Sequence, residues 1–115
     1  MKKEQLKDLV IDAIEDIKGT DIQVYDLEGK SDVTDVMIIA SGNTARQVKA
    51  ISDNIIDKSK KQGIMPLGVE GQTAAEWVLV DLGDVVAHIM TPSIRDFYNL
   101  EKLWGHESPS AAQEK

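Results

Sequence analysis

The chain has 115 residues, no cysteine and a formal net charge of −7, with 42% hydrophobic and 29% charged residues. These values fit one domain with a core of its own, and they exclude disulfides, thiolate nucleophiles, iron–sulfur clusters and cysteine zinc sites together. The acidic balance disfavours direct binding to a phosphate backbone, which relies on Lys and Arg displacing counterions, and it points to a basic protein partner, although a negative surface also serves plain solubility.

The amino terminus runs straight into a charged amphipathic pattern, and no apolar stretch of signal-peptide or membrane-spanning length follows, so a cytoplasmic location is expected. Leu6, Leu9, Val10, Ala13, Ile14 and Ile17 recur at three- and four-residue spacing, which predicts a helix ended by Gly19. Ile22, Val24 and Leu27 predict a short strand, followed by a loop over 28–32. Val36 to Ala40 is a continuous apolar run, as expected of a central strand buried on both faces. Thr44 and Gln47 stand at capping-box spacing and open a second helix with a stripe of Val48, Ile51, Ile55 and Ile56. Lys58, Lys60 and Lys61 close that helix before Gly63, where positive charge suits the helix dipole. Ile64 to Val69 contains Pro66, which cannot donate to a ladder and so predicts an edge strand, with a turn over Glu70, Gly71 and Gln72.

Residues 76–90 read as a hairpin. With Leu82-Gly83 as its two-residue turn, Asp81 faces Asp84, Leu79 faces Val86, Val78 faces Ala87 and Trp77 faces His88. Alternation then sorts the side chains. One face carries the small aliphatic Val78, Val80, Val85, Ala87 and Ile89, suited to packing under helices; the other carries the larger Trp77, Leu79, Val86, His88 and Met90. Thr91 and Pro92 start a third helix bearing Ile94, Phe97 and Tyr98, with Leu100, Leu103 and Trp104 beyond. The domain is expected to span 1–104, and 105–115 to form a disordered tail.

Chemical motifs are sparse. His88 and His106 have no partner at metal-ligand spacing. Ser41-Gly42-Asn43 between a strand and a helix invites comparison with a phosphate-cradling loop, but the lysine and second glycine of a P-loop are missing. The layout is also that of nucleotidyltransferases, whose chemistry needs paired carboxylates on one strand for Mg²⁺, and no Asp-x-Asp pair follows this loop. Asp81 and Asp84 read either as contacts for a partner's Lys or Arg or as turn residues bonded to local backbone.

Four blocks carry a resemblance: Asp35-Val36-Met37-Ile38-Ile39-Ala40-Ser41-Gly42-Asn43, Gly68-Val69-Glu70-Gly71, the stretch from Glu76 to Met90, and Phe97-Tyr98-Asn99-Leu100-Glu101-Lys102-Leu103-Trp104. In this order they resemble the ribosomal silencing factor family, also called the Iojap family. Ala87 stands where a bulkier aliphatic residue is common in it. The resemblance implies an α+β fold with a mixed sheet of about five strands, helices packed on it and nucleotidyltransferase-like topology, without transferase activity and without cofactor or metal. It implies a partner, the large-subunit ribosomal protein numbered fourteen, bound at the subunit interface so that small-subunit joining is blocked and translation falls under nutrient limitation. The positions matching the family's binding surface are Trp77, Leu79, Asp81, Asp84, His88, Met90, Pro92 and Tyr98. Trp77 with Met90 is expected to anchor the partner, and Arg95 and Glu101 are expected to be solvated helix charges. Two other readings stand beside this one: a nucleotide-binding enzyme using Ser41, Gly42 and the aspartates, and a homodimer built on the same apolar face.

Overall fold

The computed structural model describes residues 2–29 and 34–99. The expected tail, Leu100, Glu101, Leu103, Trp104, His106 and part of the 28–32 loop lie outside them. The elements run α1 (Lys3–Asp16), β1 (Thr20–Asp26), β2 (Val36–Ser41), α2 (Ala45–Lys61), β3 (Gly68–Glu70), β4 (Trp77–Asp81), β5 (Val85–Met90) and α3 (Pro92–Tyr98). The strands form one five-stranded sheet of order β1-β2-β5-β4-β3. Only β2 and β5 pair in parallel. The fold is therefore α+β with a mixed sheet, as expected, and its connectivity is compatible with the nucleotidyltransferase-like description.

The parallel pair lies in the middle, and every residue of β2 and β5 is buried. This is why Val36 to Ala40 reads as an unbroken apolar run: a strand covered on both faces has no position that water selects for polarity. On one side α1 and α2 bury Leu6, Val10, Ala13 and Ile14 with Val48, Ile51 and Ile55 against Val36, Ile38, Ala40, Val78, Val80, Val85, Ala87 and Ile89. Val78, Val80, Val85, Ala87 and Ile89 among them are the positions that the hairpin pattern assigned to a helix-covered face. The opposite side holds a second cluster of Tyr25, Leu27, Met37, Ile39 and Met90, with Trp77 and Ile94 packed against it.

The two large helices are joined at their ends by named contacts. Thr44 caps α2 by accepting from the Gln47 N–H at 3.1 Å, while Gln47 Oε1 accepts from Asn43 N–H at 2.7 Å. The Gln47 amide also donates to the Ile17 carbonyl at 2.9 Å, so one side chain covers the start of α2 and the end of α1. At that end the left-handed residue is Lys18 (φ 64°), followed by Gly19, whose N–H reaches the Ile14 carbonyl at 2.9 Å. Glycine is needed at 19 for space, since a Cβ there would stand 2.4 Å from Ile14 Cγ2.

The hairpin register differs from the expected one by two residues. Trp77 pairs with Met90, Val78 with Ile89, Leu79 with His88, Val80 with Ala87 and Asp81 with Val86. The turn is therefore Gly83-Asp84, closed by Leu82 N–H to Val85 carbonyl at 2.9 Å, with Gly83 at φ +93°. Both favoured two-residue hairpin turns need positive φ at their first central position. The expected turn would have placed Leu82 there, where a side chain is strained, whereas this one places Gly83. A slip of two keeps every residue on its face.

Gly71 is constrained both by its backbone angle and by its surroundings. It has φ +87°, and a Cβ there would lie 2.1 Å from the Trp77 carbonyl oxygen. Gly71→Ala is accordingly expected to destabilise the protein by about 2 kcal/mol or more, read as a lower urea midpoint at unchanged m-value. An unchanged midpoint would show that the 71–77 approach is looser than described.

Candidate functional site

The site is built on the sheet side away from α1 and α2. Strand alternation places Trp77, Leu79 and Asp81 of β4 there beside Val86, His88 and Met90 of β5, and Glu70 of edge strand β3 opposite Leu79. Trp77, Leu79 and Asp81 are half-buried. α3 then returns over the end of this face, capped by Asn99 in a left-handed conformation. It sets Tyr98 against Trp77, ring centroids 5.0 Å apart, and Phe97 edge-on to Tyr98, again at 5.0 Å. Tyr98 is 55% and Phe97 78% exposed. A run of three aromatic rings thus passes from the sheet into solvent, a geometry in which aromatic pairs attract beyond their buried area.

The indole is oriented from beneath. Trp77 Nε1–H donates to His88 Nδ1 at 3.0 Å, and His88 is buried. An accepting Nδ1 requires a neutral imidazole with its hydrogen on Nε2. Burial works in the same direction and pushes the His88 pKa down to about 4.

Negative charge lies at the β3 edge and at the hairpin tip. Asp84 and Glu70 are exposed. Asp81 does not oppose Asp84, as the expected register had it; it pairs with Val86, and its Oδ1 accepts from the Gly83 N–H at 2.9 Å. It thus stabilises the turn that presents Asp84. Asp84 in turn offers its carbonyl to the N–H groups of Asp35 and Val36 at 3.2 and 2.9 Å, tying the hairpin tip to the start of β2.

Two of the eight expected contact residues lie beneath the surface. Met90 has no exposed area, so it cannot form the surface anchor with Trp77: the position pairs with Trp77 across the ladder but its side chain fills the second core cluster. His88 is also buried, and it supports the surface residue Trp77 by accepting from its indole. Pro92 is exposed at the start of α3, in a cleft with Thr20, Asp21, Gln23, Ser41, Arg95, Asp96 and Asn99. Arg95, expected to be solvated, is buried instead. Phe97 was not among the expected contact residues; the signal for it was three large residues at 94, 97 and 98 on a helix too short to bury them all.

The Ser41-Gly42-Asn43 loop is occupied internally. Gly42 N–H donates to the Met90 carbonyl at 3.0 Å, Asn43 N–H to Gln47, and the Ser41 hydroxyl accepts from Arg95 at 2.8 Å. Gly42 serves close packing, since a Cβ there would meet Val48 Cγ2 and N at 3.0 Å. The N–H groups of Gly42 and Asn43 are thus engaged within the protein and not open to a phosphate. Among the described residues no group of three His, Asp or Glu is placed to hold a metal, and no helix is long and apolar enough to cross a membrane.

Comparison with known proteins gives the family. The sequence profile described as "Ribosomal silencing factor during starvation" matches residues 1–115. The chain belongs to the ribosomal silencing factor family. It is 45% identical over 112 residues to the ribosomal silencing factor of Chromobacterium violaceum, covering 97% of this chain and 92% of the relative. More distantly, it is 30% identical over 100 residues to a mouse protein named for mitochondrial assembly of the ribosomal large subunit, covering 84% of this chain and 44% of that protein. A crystal structure of a Chromobacterium violaceum protein superposes with a TM-score of 0.90 at 44% identity, over 96% of this chain and 92% of that one. The ribosomal silencing factor family is named for a regulatory role and not for catalysis.

Because the folded His88 pKa lies below the 6.5 of an exposed histidine, the unfolded chain takes up this proton first on acidification. The contribution of neutral His88 is complete above pH 6.5 and is lost between 6.5 and about 4. Between pH 7 and 5 the wild type is expected to lose about 2 kcal/mol more unfolding free energy than His88→Gln, which accepts from the indole without titrating. Equal losses in urea titrations of the two proteins would contradict the buried neutral imidazole.

Proposed function

We propose that this chain is a translation repressor of the cytoplasm that binds the large ribosomal subunit and blocks small-subunit joining by occupying its interface. The direct partner in this reading is the large-subunit ribosomal protein numbered fourteen, and the silencing acts under nutrient limitation. The observation that carries the reading is the half-exposed run of Trp77, Tyr98 and Phe97 in a member of the ribosomal silencing factor family. Large aromatic side chains at the centre of a patch are where interface energy concentrates.

Trp77, Leu79 and Tyr98, joined by Phe97, form the apolar centre of the contact. Asp81, Asp84 and Glu70 form a negative rim suited to Lys and Arg of a ribosomal protein, which steers encounter and fixes orientation more than it adds affinity. His88 and Met90 act from below, one by holding the indole and the other by filling the core under it. Pro92 contributes by starting α3. The work is steric, so no bound nucleotide or metal enters the mechanism.

Trp77→Ala is expected to weaken binding to purified large subunits by more than about 2 kcal/mol, roughly 30-fold, with the fold retained by circular dichroism. A folded Trp77→Ala protein that still inhibits subunit joining at wild-type concentration would refute the placement of the site.

A further inference from the structure

Arg95 is 8% exposed. Its Nη1 donates to the Asp21 carbonyl at 2.7 Å and to the Ser41 hydroxyl at 2.8 Å. Both acceptors lie at one end of the sheet, where Thr20 pairs with Ser41 and the β1–β2 register then breaks before Gln23. Asp21 sits in that break at φ 55°, and a bulge of this kind takes a residue's backbone groups out of the ladder. The guanidinium therefore crosses from α3 to β1 and to the last residue of β2. A buried cation separated from its acceptors is strongly disfavoured, so these bonds hold as long as the region is folded.

Two and three residues further along are Phe97 and Tyr98, the exposed rings that meet Trp77. Their position depends on where α3 sits, and α3 has only 7 residues, too few to be helical on its own. We infer that Arg95 is a positioning residue for the docking face: it pins α3 to the ends of β1 and β2 and thereby holds Tyr98 and Phe97 beside Trp77. The inference rests on the reading of that face as the contact with the large subunit.

Arg95→Met keeps an unbranched apolar stem, though a shorter side chain, and removes the donors. It is expected to speed hydrogen exchange of the amides that close α3, at positions 95 and 99, by roughly tenfold or more, while those of β2 and β5 change by less than about threefold. Binding to purified large subunits should weaken by roughly tenfold. In a Phe97→Ala, Tyr98→Ala background the same substitution should leave binding unchanged, because a residue that acts through those rings has no effect without them. Exchange accelerated equally in β2 and β5, with binding per folded molecule intact, would overturn the inference, since Arg95 would then support the fold at large. Should Arg95→Met fail to fold, Ser41→Ala decides: a loosened α3 with weaker binding supports the inference, and an unaltered α3 overturns it. Trp77→Ala is measured alongside. Loss of binding there but not in Arg95→Met rejects the role of Arg95 alone, whereas loss in neither rejects the docking face itself.

Discussion

A hydrogen bond from the Trp77 indole to the buried His88 imidazole, 3.0 Å long, ties the surface of this protein to its core. Indole has a single polar group, and here it points inward, so what Trp77 offers to solvent is hydrocarbon. That fixes the character of the face, and the face in turn explains an otherwise odd feature, a histidine in a central strand of which every residue is buried. The imidazole lies there because it accepts a bond that no aliphatic residue could. Tyr98 packs on the indole, so any change in its orientation is passed to the exposed rings of α3.

The remainder of the fold supplies rigidity behind that face. Helices α1 and α2 cover one side of the sheet with aliphatic side chains, and the other side is filled by Tyr25, Leu27, Met37, Ile39 and Met90. A rigid platform loses little conformational freedom on association, which suits the steric action proposed for this face. The loop after β2 fits the same division of labour. The N–H groups of Gly42 and Asn43 bond to Met90 and Gln47, and the Ser41 hydroxyl accepts from Arg95, so the segment ties the sheet to α2 and α3.

Much of this was legible in the residues. Helix stripes, capping at Thr44 and the two-sided strand Val36 to Ala40 follow from periodicity and from the chemistry of single residues. The edge strand expected over Ile64 to Val69 is instead Gly68–Glu70, with Glu70 in the ladder and not in the turn. The faces of the β4–β5 hairpin were also legible although its register was not, because a two-residue slip preserves alternation while the turn obeys the φ that only Gly83 tolerates. Depth was harder to read. Met90 shares a face with Trp77, and alternation cannot say that one is covered and the other half open. Arg95 looked like a surface charge because its acceptors, Asp21 and Ser41, are 74 and 54 residues away in sequence. The partner proposed for this face comes from resemblance to a family, and no pattern of spacing could have supplied it.

The central claim is that the face carrying Trp77, Tyr98 and Phe97 is covered by the large ribosomal subunit. A cryo-electron microscopy reconstruction of the chain bound to purified large subunits tests it most directly. The account predicts density from a basic ribosomal protein against these three rings, with Asp84 and Glu70 at the margin. Density placing the helical face of α1 and α2 on the ribosome, with the aromatic rings left in solvent, would contradict it.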